Sequence, residues 1–330
     1  MRVLVMRISA MGDVAMCAPV MSAVCRAYPD VHFDFLTTTF YKPFFESLPN
    51  LNVIGTDIKK ERAGFKSLCK LYRKLTNNAK YDKVIDLHDV LRTKVLRILF
   101  SLSGVQATKI NKGRAEKKRL TAKDNKDFRP LRTTIDRYAE AFAKIGLPIE
   151  NISEVQEKKS MPEQFASFSG KLVGIAPFAQ HAGKIYPQDK MREVVRILNE
   201  QRDKTIFIFG GGASEKAVAE AWEKEFEHCI SVIGKVRLAD ELATISNLDY
   251  MISMDSSAMH MASLYGVKVI SIWGATHPYA GFMGYGQSDK MSVQLDMPCR
   301  PCSIYGNKPC HFGDYRCLNI PPENIIEKIK

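Results

Sequence analysis

The chain has 330 residues, 45% of them apolar and 25% charged, the balance of a globular protein with room for about two domains. That length buries a large core without disulfide staples. No run approaches the ~20 apolar residues of a membrane span, and the apolar run Val3–Met6 stops at Arg7, too short for a secretory signal core. The eight cysteines therefore read mainly as thiols in a reducing cytoplasm.

The net charge is +12, and the excess is local. From Lys59 to Arg132 there are 22 Lys and Arg against 7 Asp and Glu, so this one segment carries more than the whole surplus. Such a field is either a solvated lysine-rich surface or an attractor of anions: nucleic acid, an acidic membrane face or an acidic substrate.

In chain order, "RVLVMRI" reads as a strand, and "VAMCAPVMSAVCRAY" (14–28) has helical spacing. Between them stand Gly12 and Asp13, where a strand turns into a helix. Asp13 either caps that helix or lies at the mouth of a site, where an ordinary ionised aspartate accepts a proton from a hydroxyl. "VHFDFLTT" (31–38) and "YDKVIDLH" (81–88) are further strands. "KINKGRAEKKRL" (109–120) reads as a mobile loop whose Lys112, Arg114, Lys117, Lys118 and Arg119 can grip an anion.

A polar, weakly patterned stretch (149–170) separates a second series, which predicts domains at 1–160 and 161–330. "KLVGIAP" (171–177), "TIFIFGG" (205–211), "YMISM" (250–254) and "KVISIWG" (268–274) are strands, with amphipathic helices between them, and "PPENIIEKIK" is a closing helix opened by prolines. Strands alternating with helices imply parallel sheets. The expected fold is α/β: two Rossmann-like domains facing one another, with a cleft between.

Three strand-end loops of the second half suit a nucleotide diphosphate. "MDSSAMHMASLYG" starts a helix with small Ser256 and Ser257, so its N–H groups and positive dipole end suit a phosphate. The plainer reading makes Asp255 an N-cap and His260 a core residue. "FGGGAS" is a glycine cluster without a full fingerprint, and "APFAQHAGKIYP" offers Lys184 as a point charge.

Together these residues resemble a known family. "RISAMGDVAMCAPVMSAVCRAYP", "GKIYP", "FGGGASE" and "MDSSAMHMASLYGVKVISIWGATHP" look like the signature blocks of glycosyltransferase family 9, the bacterial heptosyltransferases of lipopolysaccharide core synthesis. The resemblance implies a GT-B fold and inverting transfer of a sugar, usually from ADP-heptose, to a lipid-linked saccharide. By the same likeness Asp13 matches the catalytic base and Lys184 the donor-phosphate lysine. Asp255, Ser256, Ser257 and His260 match the donor-binding segment, and Glu215 an acid on the donor ribose. Gly12 would leave room for the acceptor, and the basic residues of 109–120 would bind its phosphates and carboxylates. This chain has Ser256-Ser257 where the family commonly has Thr-Gly, and Tyr186 where it has tryptophan.

The expected partners are then a nucleotide sugar, an anionic glycolipid acceptor and the inner membrane surface, for a cytoplasmic, peripheral protein with no cofactor beyond its co-substrate. No catalytic metal is needed if Lys184, His260 and helix N–H groups neutralise the leaving diphosphate. Cys299, Cys302, Cys310 and Cys317 are either structural thiols or a loosely spaced tetrahedral zinc set. Two rival readings remain. A nucleic-acid-binding protein would use the basic segment, but Phe128 is the sole aromatic between Lys109 and Arg132. An NAD-dependent oxidoreductase would need a G-x-G-x-x-G after a first strand, which neither half has.

Overall fold

The computed structural model describes residues 1–45, 48–56, 64–152, 155–168 and 170–329. Lys59, Lys60 and Arg62 of the basic segment lie outside the described residues, as do Ser153, Glu154 and Ser169 of the polar stretch. The chain divides into two compact units: residues 1–112 with 134–154, and residues 113–133 with 155–330.

The first unit begins with β1 (Arg2–Met6), α1 (Met11–Ala15), α2 (Cys17–Ala27), β2 (His32–Thr38), β3 (Leu51–Thr56), α3 (Phe65–Asn78), β4 (Lys83–Asp86), α4 (Leu91–Leu102) and β5 (Gln106–Lys109). Next comes α5 (Arg114–Leu120), which belongs to the second unit, and then α6 (Thr134–Ala143) of the first. The five strands form a parallel sheet in the order β3-β2-β1-β4-β5. The single helix expected over 14–28 is two helices, α1 and α2. Pro19 lacks the N–H that would bond the carbonyl of residue 15, so the first turn must restart.

Central strands are buried on both faces, which is why "VLVM" is continuously apolar. Leu4, Met6, Leu36, Val84, Leu75, Leu96 and Phe100 pack as one cluster under α3 and α4. A polar strut crosses the sheet at buried Asp34, which accepts hydrogen bonds from Arg2 Nε at 2.8 Å and Asn52 Nδ2 at 2.7 Å. Burial works against the Asp34 charge, but those bonds and one from Tyr81 hold its carboxyl below the usual range.

The second unit contains β6 (Lys171–Ala176), α7 (Gln188–Glu200), β7 (Lys204–Ile208), α8 (Ala213–Glu225), β8 (Cys229–Ser231), α9 (Leu238–Ser246), β9 (Tyr250–Met254), α10 (Ser257–Leu264), β10 (Lys268–Trp273), β11 (Ser292–Gln294) and α11 (Glu323–Ile326). Its six-stranded parallel sheet runs β11-β10-β9-β6-β7-β8. Val173, Ile175, Ile206, Ile252 and Ile270 fill its centre against Met191, Val195 and Trp222 of the helices.

Segment 109–120 is not a loop. Gly113, at φ 59°, opens α5, and "RAEKKRL" is made of strong helix formers. Leu120 and Lys117 turn inward: the Lys117 ammonium sits 4.3 Å from the centre of the Phe282 ring. Farther on, Lys126 Nζ donates to the carbonyls of Pro298, Cys299, Arg300 and Pro301 at 3.0–3.2 Å, and Leu131 N donates to the Tyr279 carbonyl at 2.9 Å. These bonds tie 113–133 into the second unit.

Candidate functional site

Each sheet has one place where successive crossovers change direction, and ligands of open α/β sheets bind at the carboxyl ends there. In the first sheet the chain moves outward from β1 through β2 to β3, then continues at β4 on the other side of β1. The switch point is the β1/β4 boundary. Asp13 follows β1, and the turn Leu87-His88-Asp89 follows β4.

Asp13 lies in the first turn of α1, whose N-cap is Ala10. No side chain caps that helix, so the cap reading of Asp13 falls away. Its carboxylate is 29% exposed and forms an ion pair with Arg7, which is 7% exposed. Arg7 also donates to the Leu87 carbonyl at 2.8 Å, joining the two strand ends. Burial opposes the Arg7 charge, but Asp13, Tyr138 and Cys17 around it hold its pKa above the ordinary arginine value. Tyr138 Oη and Cys17 Sγ both donate to the Asp13 carbonyl, at 3.2 and 3.3 Å. Burial pushes the Cys17 thiol up to about 12 and Tyr138 well above its usual value, so both remain protonated donors. Gly12 is partly exposed beside Asp13 in the same turn.

His88 is a second titratable group at this switch point. It is buried, and its Nδ1 has no hydrogen-bond partner among the described residues. Burial, then Arg7 and Lys112, push it down to about 3, so it is a neutral imidazole at physiological pH. Asp86 holds the turn by accepting from the backbone N–H groups of His88 and Asp89 at 3.0 and 2.8 Å, and Arg97 pairs with Asp86 at 3.0 Å. Neither Arg7 nor His88 was singled out from the sequence. The signals were there: an arginine ending an apolar strand six residues before Asp13, and "DLHD" closing another.

In the second sheet the switch point is the β6/β9 boundary. Lys184 follows β6 and Asp255 follows β9, and Lys184 Nζ lies 2.8 Å from the Asp255 carboxylate and 3.0 Å from its carbonyl oxygen. Asp255 is buried and is not an N-cap; Ser256 is, with no side chain bonded to the first-turn N–H groups. Ser256 Oγ is 3.1 Å from Ser253 Oγ. Ser257 begins α10, and His260 is buried one turn on. Tyr186 is a core residue whose hydroxyl donates to the Ile320 carbonyl at 2.6 Å.

Glu215 lies in the first turn of α8, and its Oε2 accepts from the Gly211 N–H at 2.6 Å. It thereby pins the glycine loop, in which Gly212 takes φ +96°, a value side chains resist. Gly183 is held against Ala275, whose N–H donates to the Gly183 carbonyl at 2.8 Å; a Cβ at Gly183 would meet the Ala275 Cβ at 2.9 Å. The same loop is braced by buried Arg300, which donates to the carbonyls of Trp273 and Thr276 at 3.0 and 2.9 Å.

Of the basic residues expected to receive an acceptor, Lys112 ends the first unit, its Nζ 3.4 Å from the Asp89 carbonyl. Arg114, Lys117, Lys118 and Arg119 fall in the second unit; Lys118 and Arg119 are exposed and Lys117 is buried. Each of the eight cysteines is a free thiol. Among the described residues no group of three or more His, Cys, Asp or Glu is arranged to hold a metal ion; Cys317 is buried, and Cys299, Cys302 and Cys310 are partly buried. No helix among the described residues is long and apolar enough to cross a membrane.

Two Rossmann-like parallel sheets, each with a polar cluster at its switch point, are the two halves of a GT-B fold. Among solved structures, the family 9 glycosyl transferase from Veillonella parvula matches with a TM-score of 0.76 at 18% identity, over 99% of this chain and 95% of that one. The E. coli heptosyltransferase WaaC, solved with ADP-2-deoxy-2-fluoro heptose, matches with a TM-score of 0.68 at 19% identity over 100% of both chains. The lipopolysaccharide core heptosyltransferase OpsX of Haemophilus influenzae is 25% identical over 83% of this chain and 79% of its own length. The chain belongs to glycosyltransferase family 9 (heptosyltransferase), whose model matches residues 68–312. Membership favours neither the nucleic-acid nor the oxidoreductase reading.

Proposed function

We propose that this enzyme transfers heptose from ADP-heptose, with inversion, to a hydroxyl of an acidic, lipid-linked lipopolysaccharide core acceptor at the inner face of the bilayer. The carrying observation is that the carboxylate Asp13 and the lysine Lys184 each stand at the switch point of a parallel sheet. Membership of the heptosyltransferase family and the likeness to OpsX, a lipopolysaccharide core heptosyltransferase, support heptose and the core acceptor.

In this reading the acceptor oxygen attacks the anomeric carbon and its proton passes to Asp13. The bond from that carbon to the diphosphate oxygen breaks, and the diphosphate leaves with the electron pair. Lys184, the uncapped N–H groups of α10, Ser256, Ser257 and His260 meet its growing charge. Asp255 aims Lys184, and Glu215 shapes the glycine loop and faces the ribose. Arg7 orients Asp13. Gly12 leaves the acceptor room, and Lys112, Arg114, Lys118 and Arg119 serve its anionic groups, while the expected fifth, Lys117, is buried against Phe282 and anchors α5 instead. The domain roles follow: the first unit, together with the α5 segment of the second, serves the acceptor, and the sheet of the second unit serves the donor.

The test is calorimetric titration with ADP, UDP and GDP, followed by transfer assays on Asp13→Ala. ADP should bind tightest. Asp13→Ala should keep that affinity and lose about 10²–10⁴-fold in rate, the usual worth of a general base. Tighter binding of UDP or GDP would overturn the donor; near-wild-type transfer by Asp13→Ala would overturn the base.

A further inference from the structure

The layer of α3 and α4 that covers the first sheet is sealed inside and unusual outside. Leu68 and Leu75 of α3 and Leu96 and Phe100 of α4 are buried against the strands, with Tyr72 and Phe100 rings 4.9 Å apart across the helix pair. The outer face of α4 carries Leu91, Ile98 and Leu102, which are 78%, 54% and 80% exposed. With half-buried Val95 they recur at i, i+4, i+7 and i+11, one continuous apolar stripe along the helix. Phe65, at the start of the neighbouring helix, is 66% exposed. Single exposed apolar residues are ordinary, but an aligned row of them marks an interaction surface.

Beside the stripe the charge is of one sign. The exposed positions of α3 include Lys66, Lys70, Arg73 and Lys74, and α4 adds half-buried Arg92 and Lys94. From residue 64 to residue 105 the acids are Asp82, Asp86 and Asp89. Asp86 and Asp89 are buried, and Asp82 is bonded to the Arg2 backbone N–H at 2.7 Å. Aliphatic side chains flanked by lysine and arginine, on two helices that carry no Asp or Glu, complement a surface that is apolar below and anionic above. The stripe begins at Leu91, two residues past Asp89 of the β1/β4 switch point.

We infer that the α3–α4 face is a membrane-docking surface, with Leu91, Ile98 and Leu102 entering the acyl boundary of an anionic bilayer and the α3 lysines meeting its headgroups. This rests on the lipid-linked acceptor proposed above and names the surface that brings the first switch point to it. It differs from the expectation for segment 109–120, whose Lys117 is folded inward.

The test is co-sedimentation of the full chain with phosphatidylcholine vesicles, with and without phosphatidylglycerol. The wild type should pellet with the anionic vesicles and be released by salt. Leu91→Ser/Leu102→Ser should weaken partitioning about ten-fold or more. Lys66→Gln/Lys70→Gln/Lys74→Gln should weaken it about five-fold per lysine, on anionic vesicles only. Both variants change exposed positions, so their melting should match wild type, as should transfer to an acceptor headgroup without acyl chains. Variants that pellet like wild type overturn the proposal, and so does equal binding to neutral vesicles. So does a fall in sedimentation mass in the apolar variant, which would assign the stripe to a second copy of the chain. Failure of the functional reading would look different: vesicle binding intact and no transfer to the soluble headgroup.

Discussion

Lys184 Nζ touches both the carboxylate and the backbone carbonyl of Asp255, at 2.8 and 3.0 Å, so one side chain clasps the loops after β6 and β9. The ammonium is 15% exposed and its partner carboxylate 5%. Removing it costs the site both a cation and the brace between two strand ends. Lys184→Ala should weaken ADP binding about ten- to a hundred-fold, the worth of a charge-assisted contact. Calorimetry with ADP checks this; unchanged affinity would remove Lys184 from the site.

Arg7 makes the matching link in the first unit, from Asp13 to the Leu87 carbonyl. Arg7→Met should leave ADP affinity unchanged, lower kcat/KM about ten- to a hundred-fold, and destabilise the fold by about 1–3 kcal/mol through the orphaned carbonyl and carboxylate. Arg7→Lys should fall between, because an ammonium lacks the planar fork that reaches two partners. Equal rates for wild type and Arg7→Met would show that the base needs no such orientation.

His88 makes stability depend on acid. Its folded pKa, lowered to about 3, lies below the ordinary 6.5. The unfolded chain therefore binds the extra proton between those values, and stability falls as pH drops through that window, by about 1.4 kcal/mol per pH unit at most. His277, buried and lowered to about 4, acts in the same direction in the second unit. Urea midpoints of wild type and His88→Gln at pH 7 and pH 5 should converge toward the lower pH. A wild-type loss no greater than the variant's would contradict the neutral imidazole.

Asp34 works with the opposite charge. Its carboxyl lies below the usual range, so its contribution is present above the ordinary aspartate pKa and is lost as pH falls through the lowered value. Asp34→Asn should cost about 1–2 kcal/mol at neutral pH, a figure reduced because Arg2 is 39% exposed. Denaturant unfolding at neutral and acid pH measures it, with the two proteins expected to draw together in acid.

The strands absent from the sequence reading share one property. β3, β5, β8 and β11 are the four edges of the two sheets. "QATK" buries none of its four residues fully, and "CIS" and "SVQ" are three residues each. Edge strands bury one side at most, so their composition carries no apolar run. The candidate donor loops were legible because glycines, small residues and a lysine recur at strand ends. Arg7 and His88 were not, because a burial that matters only when β1 and β4 are neighbours leaves no local pattern. Helix α5 is masked by its charge density, which suggests a solvated loop although "RAEKKRL" is built of strong helix formers.

The division between the units is not a point on the chain. The polypeptide passes into the second unit after Lys112, returns at Thr134 and crosses again before Val155. A chimaera with a relative, joined once near residue 155, would therefore part Lys117 from Phe282 and Lys126 from the carbonyls of Pro298 to Pro301. Exchange of the whole second unit between family members needs three junctions, with 113–133 inherited alongside 155–330.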